Sequence, residues 1–110
     1  MTVIDLHTIG RRSGHEHSTM LTVPVLDSER LVLVASKGGD DRDPDWYRNL
    51  LAHPEVDFTV AGVRKAAVAR PATPEEASEL WPLVLRAYRL YGSYQRRSSR
   101  DIPLIICEPR

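Results

Sequence analysis

The chain has 110 residues, 42% hydrophobic and 27% charged, a composition that folds around a core and excludes extended disorder. Fifteen Lys and Arg balance fifteen Asp and Glu, so no overall field points to nucleic acid or an anionic membrane, and any anion site must be a local cluster. One cysteine, Cys107, rules out an internal disulfide and suits a reducing setting.

No apolar run has the length of a membrane span, and Met1-Thr2-Val3-Ile4-Asp5 lacks the basic and apolar regions of a signal peptide. The expectation is a cytoplasmic protein with no integral membrane segment, peripheral association being left open. One domain over residues 1–110 is expected from the length.

Val3, Ile4 and Leu6 lead into His7-Thr8-Ile9, a short strand close to the first residue. Gly10-Arg11-Arg12-Ser13-Gly14 then reads as a turn, with a glycine at each end where the chain must reverse. Residues 18–26 form a β-rich run interrupted by Pro24, whose missing donor suggests an edge or a bulge. Asp27-Ser28-Glu29-Arg30 reads as a hairpin turn. Residues 31–35 return as a strand whose unbroken apolarity predicts burial on both faces.

A double glycine, Gly38-Gly39, follows, and Asp43-Pro44 opens a helix with Asp43 as cap and Pro44 in the first turn. That helix is expected to carry Trp46, Leu50 and Leu51 on one side and to end before Pro54. Val56, Phe58 and Val60 alternate with polar residues, Ala61-Gly62 turns the chain, and residues 63–70 return as a second hairpin. Thr73-Pro74-Glu75-Glu76 is a capping box, and Ala77, Leu80, Trp81, Val84, Leu85 and Tyr88 follow at helical spacing. A last strand spans residues 102–107 and ends on Cys107. Hairpins dominate and few helices lie between strands, so the pattern predicts a mainly β, antiparallel fold: a small barrel with helices packed outside.

Arg11 and Arg12, with His15 and His17 behind them, offer cations and free amides to phosphate or carboxylate oxygens. Lys37 and Arg42 add charge to the loop after the strand at residues 31–35, which runs Ala35-Ser36-Lys37 into the glycines. No Walker loop, dinucleotide fingerprint or cysteine pair is present, and His15 and His17, spaced for one strand face, lack further ligands, so no metal is expected. Cys107 has apolar neighbours and Ser36 no evident base. An enzyme built this way would draw its reactive group from a cofactor. Tyr88, Tyr91 and Tyr94, three residues apart, could wall a pocket for a planar ligand and donate a proton, or Tyr88 could continue the helix stripe into the core.

These motifs stand in a recognisable order: GRRSG at 10–14, VASKGG at 34–39, PDWYRNL at 44–50, HPEV at 53–56, Trp81-Pro82, Tyr94-Gln95, Asp101-Ile102-Pro103 and Cys107-Glu108-Pro109. Over about residues 6–109 the chain resembles the deazaflavin (F420)-dependent nitroreductase family. The resemblance implies a split β-barrel of the FMN-binding, flavin-reductase-like kind. It also implies the cofactor F420, and hydride transfer from its reduced form to quinones, nitroaromatics or similar planar small molecules. Arg11, Arg12 and Ser13 match the family's contacts to the cofactor's phosphate and glutamate tail, with His17 where an arginine is common. Ala35, Ser36, Lys37, Trp46 and Asn49 match the deazaflavin end, and Tyr88, Tyr91 and Tyr94 the acceptor side; Ser36 and the three tyrosines are the candidate catalytic residues. Asp45 stands where the family is usually apolar, and the family's N-terminal helix has no counterpart. These departures leave a non-catalytic F420 carrier as the alternative, beside a split-barrel protein using FMN or haem. Exposed strand edges give such a barrel reason to pair as a homodimer, with monomer and dimer both open.

Overall fold

The computed structural model describes residues 2–35, 43–87 and 102–110. In chain order the elements are β1 (Thr2–Ile9), β2 (Glu16–Val23), β3 (Val25–Leu26), β4 (Leu31–Val34), α1 (Asp45–Ala52), β5 (Glu55–Val60), β6 (Val63–Pro71), α2 (Pro74–Ala87) and β7 (Leu104–Pro109). The strands form one seven-stranded sheet in the order β2-β1-β5-β6-β7-β4-β3, and every pairing is antiparallel. The sheet curls into a half-barrel, bringing β2 beside β4. The expected mainly antiparallel barrel with packed helices is the fold observed.

Pro24 marks the seam of the curl. It ends β2 at one margin of the sheet, and the next residue opens β3 at the other. A proline has no amide to donate, so it sits where the ladder is interrupted without leaving a donor unpaired.

Period-two alternation divides the apolar residues between two layers. Ile4 and Leu6 of β1, Leu33 of β4, Val56 and Phe58 of β5 and Ile105 of β7 point inward to form the barrel core. Val32, Val34, Leu104 and Ile106 point outward and are covered by Leu80 and Val84 of α2. β4 is therefore buried on both faces, as its unbroken apolarity predicted, and Cys107 lies on the buried strand expected for it. Each fully buried Leu or Ile of these layers contributes about 1.5–3 kcal/mol.

α1 seats Trp46 and Leu50 in the inner core. Leu51, expected beside them, is 48% exposed; at ~100° per residue it lies about 140° round the helix from Trp46, whereas Leu50 lies about 40° away. The same geometry turns Leu85 of α2 outward relative to Leu80. The N-cap of α1 is Pro44, in extended conformation and without a side-chain capping bond, rather than Asp43. Its carbonyl accepts from the amides of Tyr47 and Arg48 at 3.1 and 3.3 Å.

The capping box of α2 forms as expected: the Thr73 amide donates to Glu76 Oε1 at 2.9 Å and the Glu76 amide to Thr73 Oγ1 at 3.2 Å. Glu76 also receives both arms of the Arg70 guanidinium, at 2.7 and 2.8 Å, tying the start of α2 to β6. These bonds, Arg70 first, hold the Glu76 carboxyl down at about 2. Ala61 and Gly62 both take positive φ, 50° and 77°, in the two-residue turn between β5 and β6, the turn that matches the right-handed strand twist. Among the described residues no helix is long and apolar enough to cross a membrane.

Candidate functional site

Two open cavities among the described residues flank α1. The larger, about 630 Å³, lies on the outer face of the sheet beside the end of α1, and its lining includes Glu16, Asp57, Arg64 and Arg110. Its cations are already neutralised. Arg64 bonds both Glu16 and Asp57, and Arg110 donates to Asp57 at 2.5 Å and to the carbonyls of Val56 and Ala67. The Arg64 guanidinium holds the carboxyls of Glu16 and Asp57 below their usual range. This is a cross-strand clamp, and both of its arginines are already paired with carboxylates, so it offers no free arginine to an anionic ligand.

The second cavity, about 480 Å³, lies between the β1–β2 turn and α1. Six of the nine sequence candidates for cofactor binding, Arg11, Arg12, Ser13, His17, Trp46 and Asn49, line it, together with Thr8, Gly10, Ser18, Thr19 and Asp45; Ala35 does not. The turn is built to face it. The Gly10 amide donates to the His15 carbonyl at 2.8 Å and the Gly14 amide to the Gly10 carbonyl at 2.9 Å, with Gly14 at φ 73°. Gly10 instead leaves room for two side chains: a Cβ there would lie 2.5 Å from Ser13 Oγ and 2.6 Å from His17 Nε2, so both would have to shift. Ser13 Oγ accepts from the His15 amide at 3.1 Å and lies 3.2 Å from His17 Nε2. β2 begins at Glu16, two residues earlier than the sequence suggests, so His17 is a strand residue while His15 stays in the turn. The two histidines share no strand face.

The two arginines of the turn differ. Arg12 is exposed and has no hydrogen bond or ion pair among the described residues. Arg11 is strapped to α1: its amide and its Nη1 both donate to Asn49 Oδ1, at 3.1 and 2.8 Å, and Nη2 reaches Asp45 Oδ1 at 3.3 Å. Asn49 is buried and its Nδ2 donates to the buried Thr8 Oγ1 at 3.5 Å. Sequence reasoning missed Thr8 and the strap, since Arg11 and Asn49 are 38 residues apart; the hint was a polar residue, Asn49, one position before the buried Leu50. Trp46 is buried behind the cavity, edge-on to Tyr47 with ring centroids 6.5 Å apart.

Ala35 is buried in the same inner cluster as Trp46, and its amide donates to the Pro103 carbonyl at 3.1 Å. Ser36, Lys37, Tyr88, Tyr91 and Tyr94 lie outside the described residues. Cys107 is buried in apolar surroundings that push its thiol up to about 12, which excludes it as a nucleophile at neutral pH.

A sequence-family model described as F420H2-dependent quinone reductase matches residues 1–109. The chain belongs to this F420H2-dependent quinone reductase family. It is 39% identical over 109 residues to an F420H2-dependent quinone reductase of Mycobacterium tuberculosis, covering 96% of this chain and 72% of the relative. Among solved structures, the F420H2-dependent reductase FDR-A superposes with a TM-score of 0.87 at 33% identity, over 97% of this chain and 94% of that one. A chain described as a domain-swapped dimer also gives a TM-score of 0.87 at 33% identity, over 97% and 80% of the two chains. The fold is thus the split β-barrel of the F420-dependent reductases. The cavity suits the family's cofactor, which carries a phosphate and carboxylates: two arginines, Ser13, Thr19 and the turn kept open at Gly10 line it.

Proposed function

We propose that the protein is an F420H2-dependent reductase of quinones and similar planar acceptors, nitroaromatics included, with the cavity between the β1–β2 turn and α1 as the grip on its cofactor. The observation that carries this reading is the convergence of Arg11, Arg12, Ser13, His17, Trp46 and Asn49 on that one cavity in a chain of this family. When bound, reduced F420 supplies the hydride.

The protein's own residues bind and orient. Arg12 meets the phosphate and glutamate tail as a mobile surface cation, and Arg11 as a cation fixed by Asn49. Ser13 and His17 add polar contacts at the turn, while Trp46, with Ala35 buried in the same core cluster behind it, supplies an apolar wall that keeps water from the ring. On the family resemblance, Ser36 and Lys37 serve the deazaflavin end. Tyr88, Tyr91 and Tyr94 serve the acceptor side, where a phenol donates the proton that accompanies the hydride. The protein works as one domain over residues 1–110, in the cytoplasm, and the domain-swapped relative supports a homodimer.

The test is a titration of Trp46 fluorescence in a Trp81→Phe background, with F420 and with FMN, followed by turnover of a quinone and nitroaromatic panel. Saturable quenching by F420 and not by FMN, with quinone reduction, is expected. Changing both Arg11 and Arg12 to Ala weakens F420 binding by roughly 3–6 kcal/mol, at ~1.5–3 for each charged hydrogen bond. Preference for FMN, or binding without turnover of any acceptor, overturns the assignment.

A further inference from the structure

The contacts around Arg11 are of two kinds. Asn49 holds the guanidinium from the buried side: it is 6% exposed, fixed in α1, and neutral, so it orients the arginine without cancelling its charge. Asp45 meets the same guanidinium from the open side through one carboxylate oxygen at 3.3 Å, and its main-chain carbonyl accepts from Nη1 at 3.5 Å. Its side chain is 82% exposed, against 23% for Arg11, and its carboxylate has no other bond among the described residues. It is also the single carboxylate among the described lining residues of the cavity. Rotation about χ1 carries it into water, at the cost of one exposed ion pair, whereas the Arg11 guanidinium would have to give up its 2.8 Å bond to the buried Asn49 to move.

We propose that Asp45 is a displaceable counter-ion to Arg11, occupying the position that an anionic oxygen of the ligand takes when it binds. A tethered carboxylate competes at a high effective concentration, so a monoanion is held off and a ligand with several negative charges displaces it. Asp45 thereby selects for polyanionic ligands and sets their affinity below what the two arginines alone would give. The inference deepens the reading of the cavity as the grip on a phosphorylated, carboxylate-bearing cofactor.

Calorimetric titration with inorganic pyrophosphate at low salt tests it, comparing the wild type, Asp45→Asn, Arg11→Gln and the double variant. Asp45→Asn tightens pyrophosphate binding about three- to tenfold, the range for one exposed ion pair plus relief of like-charge repulsion. In the Arg11→Gln background the same change has less than about a twofold effect. An unchanged or weaker affinity in Asp45→Asn, no binding to that variant, or a gain that survives Arg11→Gln overturns the counter-ion assignment. A parallel titration with F420 separates this from the functional reading. F420 binding without a gain in Asp45→Asn sinks the counter-ion alone, whereas an intact pyrophosphate cycle without F420 binding sinks the cofactor assignment alone.

Discussion

Replacing Asn49 with Ala removes one oxygen on which two bonds converge. The Arg11 amide, 3.1 Å away, loses its acceptor in a partly buried setting, and the guanidinium loses its 2.8 Å bond. An orphaned amide costs roughly 1–3 kcal/mol and a charge-assisted bond about 1.5–3. Partial access of water to Arg11 recovers some of this, and the long bond to Thr8 adds little, so the expected loss is about 2–4 kcal/mol. For a chain of this size that corresponds to a fall in Tm of roughly 8–20 °C. Urea unfolding followed by tryptophan fluorescence measures it. A double-mutant cycle with Arg11→Ala isolates the coupling, because the Arg11→Ala background keeps the amide bond and loses the guanidinium bond. A loss below about 0.5 kcal/mol would refute the view that Asn49 anchors the turn to α1, and full additivity in the cycle would remove the guanidinium bond from that anchor.

Other outcomes follow from single features. Ala61→Asn relieves a non-glycine residue at φ 50° and raises stability by about 0.5–1 kcal/mol in the same unfolding assay. Gly10→Ala pushes Ser13 and His17 out of contact, so it weakens anion binding severalfold while leaving the far-UV spectrum unchanged. Glu76, with an ordinary carboxyl value of 4.5 when unfolded and about 2 when folded, contributes stability that is complete above pH 4.5 and fades as the pH falls towards 2. Glu76→Gln therefore flattens the stability profile in that window, read by denaturant midpoints at pH 5, 4 and 3. Cys107, its thiol raised to about 12, reacts with thiol reagents at pH 8 only as fast as the native state opens; labelling at the rate of a free thiol would contradict its burial.

Much of the architecture was legible because its signals are local. The apolar run at residues 31–35 needed two covers and has them, in the barrel core and in α2. Thr73 and Glu76 announced a helix start that the structure reproduces bond by bond. Leu51 and Leu85 were misplaced because counting apolar neighbours overlooks the helical angle between them. Asp43 looked like a cap because its residue type suits one, whereas the backbone placed Pro44 at that position. Of the cavity, the glycine turn was readable, since its residues are contiguous. The strap was not, because Arg11, Asp45 and Asn49 meet only after β1 and α1 are packed together. Strand order likewise carries no local signature. Pro24 hinted at a break, but nothing in it says that the chain there crosses from one margin of the sheet to the other.

That crossing has a mechanical consequence. At Pro24 the two margins of the rolled sheet are fastened by a covalent link one residue long, which can span only ~7 Å between the flanking residues. β2 runs away from this fastening for eight residues, roughly 23 Å at ~3.3 Å per step, and starts beside the turn that carries Arg11 and Arg12. The fastening therefore limits how far the two margins can part at Pro24, while at the far end of β2 it is the bonds of Arg11 to Asn49 that hold the rim of the arginine cavity to α1.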